Sequence, residues 1–474
     1  MKQRKDSRET AVFFMRREFA GFPCRLCWIV IYYAEIWKTM ELFVMTREQC
    51  KKQVCDAIDR AAEEIYAIAK DILTHPEMGY REEKTSALVR RTFDRLGIGY
   101  TYPHAITGVK GKLTGREHRA NVCIMGELDA LKCAGHPCAV PDGTAHACGH
   151  HTQIAAMLGA AMGLAGVMDS LDGDVTFFAV PAEEFIDLDG RRALREEGKI
   201  RYFGGKQQLI AEGAFDDVDM AMMIHAQPDE PDAKLYCRGH NLGFRAKTIT
   251  FRGKAAHGST PWDGTNALNA AALAILGIHS NRETFRDEEH IRIHPIITKG
   301  GDVVNSVPDE VCIDTYVRGA TLDAIRKGND AVNRSVNGAA QMIGASSEME
   351  DLAGYLPIGE SEALSAVLEE NAASLIGREN LVYGEAITGS TDVGDLSMLL
   401  PVIQPSAGGF TGTLHSRAFG VCNPEAAILM PAKMMAMTAV DLLWDGADAA
   451  GSVKKAFVPG LTKEEYIRYL EGDI

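Results

Sequence analysis

Val175-Thr176-Phe177-Phe178-Ala179-Val180 runs directly into Pro181-Ala182-Glu183-Glu184. A short run dominated by β-branched and aromatic residues and closed by proline predicts a buried strand that stops at Pro181. Upstream, Ala120–Gly126 has the same character. Between the two lies Thr152–Val167, rich in Ala, Leu, Met and Gly, which predicts a buried helix. Strand, helix and strand in alternation predict an α/β fold: a mixed, mostly parallel sheet flanked by helices, with the loops at its carboxyl ends open for a site. Glu183 and Glu184 stand at such an end.

Working outward, Thr46-Arg47-Glu48-Gln49 forms a capping-box pattern. The positions Val54, Ile58, Ala61, Ile65, Ile68 and Ile72 then mark one stripe of an amphipathic helix. A second helix from Glu82 to Leu96 stops at Gly97. The folded catalytic part is therefore expected to begin near Met45. Residues 1–44 are set apart as an extension: the apolar run Leu26–Trp37 is interrupted by Glu35 and falls short of the ~20 residues a bilayer-spanning helix needs. Cys24 and Cys27 form a lone C-x-x-C without a second pair.

From Asn241 to Tyr355 the rhythm changes. Strand (Phe244–Phe251), helix (Thr265–His279), strands (Ile291–Thr298 and Asp309–Arg318), helix (Leu322–Ile343) and a final strand (Glu348–Leu352) follow one another. That β-α-β-β-α-β order predicts a ferredoxin-like unit. The expected organisation is an extension over 1–44, a catalytic domain over 45–240 and 356–474, and a lid or dimerisation domain inserted at 241–355. The helix Pro424–Trp444 closes the catalytic part.

The chain has 474 residues, of which 46% are hydrophobic and 24% charged, the balance of a globular protein. A formal charge of −15 repels a phosphate backbone and gives no attraction to anionic lipid, so neither nucleic acid nor membrane is an expected partner. Eleven cysteines, an odd number scattered along a long chain, argue against a disulfide framework and for a reducing, cytoplasmic setting.

Four places carry metal-ligand chemistry. Ala147-Cys148-Gly149-His150-His151 offers a thiolate and imidazoles, with Gly149 relieving crowding. Glu183-Glu184 offers adjacent carboxylates that project in different directions, so one can bind metal while the other faces water. His225 ends the apolar run Met220–Ile224, and His415 lies in a Gly-rich loop. Singly, each has a structural explanation. Together, one thiolate, three imidazoles and a carboxylate at strand ends and loops of one α/β domain suit a pair of divalent ions ~3.5–4 Å apart.

The ordered series Gly126-Glu127-Leu128-Asp129-Ala130-Leu131, His146–His150, Pro181–Glu184, Ile224-His225, Ala256-His257-Gly258, Gly300-Gly301 with Asn305, and Gly389-Ser390-Thr391-Asp392-Val393-Gly394-Asp395 resembles the amidohydrolase branch of the aminoacylase/glutamate-carboxypeptidase metallopeptidases. The last motif is most similar to aminobenzoyl-glutamate hydrolase subunits. The resemblance spans Met45 to Leu443. It implies that Cys148, His150, Glu184, His225 and His415 bind two divalent ions, zinc or manganese with cobalt possible, and that Glu183 is the general base. It implies further a homodimer formed through the inserted domain, with His257 reaching the partner's site to stabilise the oxyanion, and Asn305 with Arg318 holding the substrate carboxylate. His151 departs from the family's usual Asp or Asn.

The expected activity is hydrolysis of the amide bond of an N-acyl or N-aroyl amino acid, with Glu183 taking the proton of an activated water. A dipeptidase or carboxypeptidase on the same scaffold is the alternative. A non-catalytic binding protein is the reading from another class, and it would most simply have lost a ligand or the base; none is missing.

Overall fold

The computed structural model describes residues 45–239, 241–384 and 389–472. The calls on residues 1–44, including the Cys24/Cys27 pair, lie outside the described residues. The capping box forms as predicted: Thr46 N donates to Gln49 Oε1 at 2.9 Å and Gln49 N to Thr46 Oγ1 at 3.2 Å. The helical stripe that follows is carried by two consecutive helices, α1 (Arg47–Arg60) and α2 (Ala62–Thr74), because the chain turns at Ala61. Helix α3 (Glu83–Leu96) ends at Gly97, whose φ of 67° is left-handed and open to glycine at no steric cost.

Strands β1 (Gly99–His104), β2 (Gly108–Leu113), β3 (Asn121–Glu127), β4 (Asp174–Val180) and β5 (Met220–Met222) belong to a six-stranded sheet. Its order is β1-β2-β4-β3-β5, with Val402–Ile403 at the far edge. Only β2 runs against the others, pairing antiparallel with both β1 and β4, and the pairings from β4 to the far edge are parallel. Every residue of β3 and β4 is buried, as parallel strands covered on both faces require. Helix α4 (His150–Leu164) covers one face, and a Cβ on Gly126 would come within 3.0 Å of its Gln153 carbonyl. On the other face Met125, Phe178 and Val180 pack with Leu209, Phe215, Val393 and Leu396. Each large apolar side chain buried there stabilises the fold by roughly 1.5–3 kcal/mol. The apolar stretch Glu425–Leu443 has the length and composition of a bilayer span, yet its side chains are almost wholly buried within the protein.

A second sheet is formed by β6 (Gly243–Arg252), β7 (Arg292–Ile293), β8 (Ile296–Lys299), β9 (Glu310–Gly319) and β10 (Ser346–Ala353). It is antiparallel throughout, in the order β7-β9-β6-β10 with β8 also on β9, and follows the predicted β-α-β-β-α-β sequence. Helices Ala267–Ser280 and Leu322–Ile343 cover one face through Ile249, Phe251, Ile313 and Val317. The predicted strand Ile291–Thr298 is two strands instead. Pro295 lies between them, and without an N–H it cannot continue the ladder. The face of this sheet away from its helices turns toward the first: Phe244 meets Phe185 and Tyr355 edge-on at 5.3 and 5.2 Å.

Candidate metal centre

Five side chains from distant stretches converge at the carboxyl ends of the parallel strands. Cys148 and His150 flank the start of α4, where Gly149 adopts φ 89°. A Cβ there would lie 2.7 Å from Ala226 Cβ, so the close approach of these two segments depends on glycine. Glu183 and Glu184 follow β4 through Ala182, a non-glycine residue at φ 57°. This backbone is locked from several sides: Ala182 N donates to Glu82, Glu184 N donates to Asp129 Oδ2 at 2.9 Å, and Tyr355 Oη and Arg191 Nη2 donate to the carbonyls of Glu183 and Glu184. Strain held this firmly positions side chains. His225 opens a short strand beyond β5, and His415, at φ 59°, donates its backbone N–H to Ala147 O at 2.8 Å.

Cys148 Sγ lies 3.6 Å from His225 Nε2 and 3.4 Å from His415 Nε2. His415 Nε2 is also 3.2 Å from Glu184 Oε1. Cys148, His150 and His225 form one group whose ligand atoms lie within 4.8 Å of one another, and Cys148, Glu184 and His415 form another. The two groups share Cys148 and therefore adjoin. Glu127, His150 and Glu183 form a third such group.

The donors fit divalent ions. His150 is almost fully buried, and its Nδ1 lies 2.9 Å from the Asp129 carbonyl oxygen. Donation of that N–H leaves a lone pair on Nε2, which is the usual outer support of a metal-bound histidine. Nε2 itself and Glu184 Oε1 are buried and face Glu127 Oε2 and His415 Nε2, each at 3.2 Å, so both lone-pair atoms are turned into the cluster where an ion would sit. Sulfur, imidazole and carboxylate donors together suit zinc or manganese-type ions.

The electrostatics agree. Burial and Glu184 push the Cys148 thiol up, but His150 and His225 pull it further down, to about 6. Hydrogen bonds to Cys148 and Glu184 raise His415 to about 11. Burial, then the neighbouring Glu127, Glu184 and Asp392, hold the Glu183 carboxyl well above its ordinary range. His151 packs beside His146, 5.5 Å between ring centroids, and belongs to none of the three ligand groups. Burial and the nearby His150 and His136 lower it to about 3, so it stays uncharged.

Cys148, Glu183, Glu184, His225, His415 and Arg318 line one cavity of about 1170 Å³. Arg318 donates to Ser390 Oγ at 2.6 Å and lies over the Phe244 and Tyr316 rings. The pairing of Asn305 with Arg318 does not form within one chain. Asn305 is exposed and outside this cavity, beside His257: Gly258 N donates to Asn305 O at 2.7 Å. His257 is likewise exposed, bonded to Ser259 Oγ.

One functional layer was not assigned from sequence. Lys206, fully buried, donates to Glu127 Oε1 at 2.8 Å and to Asp392 Oδ1 at 2.5 Å. Glu127 Oε2 in turn is 3.2 Å from His150 Nε2 and accepts from Gln153. Glu127 and Asp392 were visible inside their motifs; Lys206, in Gly204-Gly205-Lys206, carried no signal of burial.

A mixed α/β sheet carrying this donor set at its strand ends defines a metal-dependent amidohydrolase or peptidase. The chain belongs to the peptidase family M20/M25/M40, whose profile matches residues 123–432. It is 27% identical to the Xaa-Arg dipeptidase of Mus musculus over 448 residues, 89% of this chain and 95% of that protein. The Bacillus subtilis structure described as a dinuclear metal binding peptidase from M20 family superposes with a TM-score of 0.64 at 24% identity, covering 80% of this chain and 98% of that one. The Klebsiella pneumoniae aminobenzoyl-glutamate utilization protein superposes with a TM-score of 0.61 at 21% identity, covering 82% and 98%.

Proposed function

We propose that this hydrolase cleaves the amide bond of an N-acyl or N-aroyl amino acid, aminobenzoyl-glutamate among the candidates. The observation that carries this is the convergence of Cys148, His150, Glu184, His225 and His415 beside Glu183 in a cavity that also holds Arg318. Cys148, His150, Glu184, His225 and His415 hold two divalent ions, zinc or manganese, with cobalt also suited to the donors. Those ions supply Lewis acidity toward the scissile carbonyl and the attacking water. Glu183 Oε2, 3.9 Å from His150 Nε2, takes the proton of that water and returns it to the leaving nitrogen.

Arg318 holds the carboxylate of the leaving amino acid, its planar guanidinium matching two oxygens. The protein works as a homodimer through the 241–355 region, with the partner subunit's His257 stabilising the oxyanion and the partner subunit's Asn305 joining the carboxylate site. Trp262, Val303 and Val304, exposed and close in sequence to His257 and Asn305, would supply apolar surface for such a dimer to bury. The nine described cysteines are all free, which supports a reducing, cytoplasmic location.

A dipeptidase is the second reading, favoured by the Xaa-Arg dipeptidase likeness along 89% of the chain. A hydrolysis screen over N-acyl-amino acids and dipeptides, read by mass spectrometry, separates the two. Release of an amino acid from acyl conjugates but not dipeptides supports the proposal, and the reverse supports the dipeptidase.

A further inference from the structure

A second cavity, of about 790 Å³, shares the wall Arg292–Tyr316–Arg318 with the catalytic one. Its lining carries Arg282, Arg286, Arg292 and Arg318 against a single acidic residue, Asp287. Arg292 and Arg318 are direct partners in the antiparallel register of β7 and β9, so their side chains share one face. Like charges opposed in this way repel and cost stability, which an anion between them would reverse. Among the described residues no carboxylate pairs with either. Arg318 engages Ser390 and two aromatic rings, and Arg282 donates to the Ile293 carbonyl at 3.2 Å, so both keep their charge available. Arg286 lies 3.7 Å from Glu288 at the exposed surface and also has Glu289 nearby. The groove is also large. A carboxylate held between Arg292 and Arg318 would leave the rest of the lining open, with Arg282 and Arg286 still available beside Asp287 and the apolar Phe285, Ile291 and Ile293.

We infer that this groove receives the leaving half of the substrate, and that it extends the site beyond a single leaving amino acid so that an acidic chain is accepted in its place. One carboxylate is held between Arg292 and Arg318, and the next lies beyond it toward Arg282 and Arg286. The inference rests on the assignment of the neighbouring cavity to amide hydrolysis. A leaving half with a cationic side chain is disfavoured by the same charges.

The test uses the metal-loaded full-length protein and substrates that share one acyl group. Their leaving halves are alanine, glutamate, the dipeptide Glu-Glu and arginine. We expect kcat/KM to rise about tenfold for each added carboxylate and to be lowest for arginine. In Arg282→Gln and in Arg292→Gln, the ratio of the Glu-Glu value to the alanine value should fall about tenfold, mainly through KM. Equal rates across the series, a preference for arginine, or an unchanged ratio in both variants would overturn the inference. Calorimetric titration with free Glu-Glu keeps the question separate from turnover. If no amide is cleaved, the hydrolytic assignment fails; binding weakened by Arg292→Gln still supports the groove, and equal binding by parent and variant removes it.

Discussion

Glu183 and Glu184 are neighbours with opposite electrostatic fates. Glu184 is pulled below its usual range despite burial, because His415 bonds it, whereas Glu183 is pushed well above. Glu183→Gln should therefore lower kcat by about 10²–10⁴-fold while metal content by elemental analysis stays at the parent value. Glu184→Gln should lose metal as well as activity, and a variant that kept both would reverse the assignment. Gly149→Ala must place a Cβ against Ala226 from a left-handed backbone, and it should lower the melting temperature measured by calorimetry. The strain alone is worth about 1–2 kcal/mol. These residues were legible because chemistry-bearing types stood at strand ends and in glycine loops. Lys206 was not: a lysine is normally a surface residue, and only the fold reveals that two buried carboxylates enclose it.

At the scale of elements, the buried ion network couples the start of the Gly205–Ala211 helix to β3 and to the Asp392 turn. Burial lowers the Lys206 pKa, but Asp392 and Glu127 raise it further, so the ammonium stays charged. Lys206→Met leaves both carboxylates without their cation and should cost about 3–5 kcal/mol in urea unfolding. Asp395 behaves differently. Burial, reinforced by Asp392, raises its carboxyl to about 8 although Tyr466 donates to it at 2.8 Å. The native state thus binds a proton that the unfolded chain releases at the ordinary 3.8, so this contribution to stability is present below that pH and is lost as pH rises toward 8. Asp395→Asn should flatten the decline in unfolding free energy between about pH 4 and 8, and a slope equal to the parent's would contradict the assignment.

The core strands, the ferredoxin-like order and the capped helices were readable because period and punctuation act locally. The β1-β2 hairpin was not: Gly99–His104 presents no apolar face, alternating between exposed and half-buried residues at the sheet edge. The Pro295 interruption was in plain sight, yet the surrounding β-branched residues masked it.

Across the whole molecule, two regions meet at one cavity. Cys148, Glu183, Glu184, His225 and His415, from loops and strand ends of the first region, face Arg292 and Arg318 of the second sheet across it. Removal of divalent ions by a chelator should abolish turnover and lower the melting temperature, both restored on adding metal, since ligands that bind only the native state stabilise it by mass action. Sedimentation should return twice the chain mass, and charged substitutions at Val303 and Val304 should shift it toward the monomer. Dimerisation is suggested by the family resemblance, and these substitutions test it.

Anomalous scattering from crystals grown with zinc or manganese tests the metal centre most directly. The account predicts two peaks ~3.5–4 Å apart, bounded by Cys148, His150, Glu184, His225 and His415 with Glu183 alongside. Peaks elsewhere, or none within this cavity at full metal loading, would contradict it.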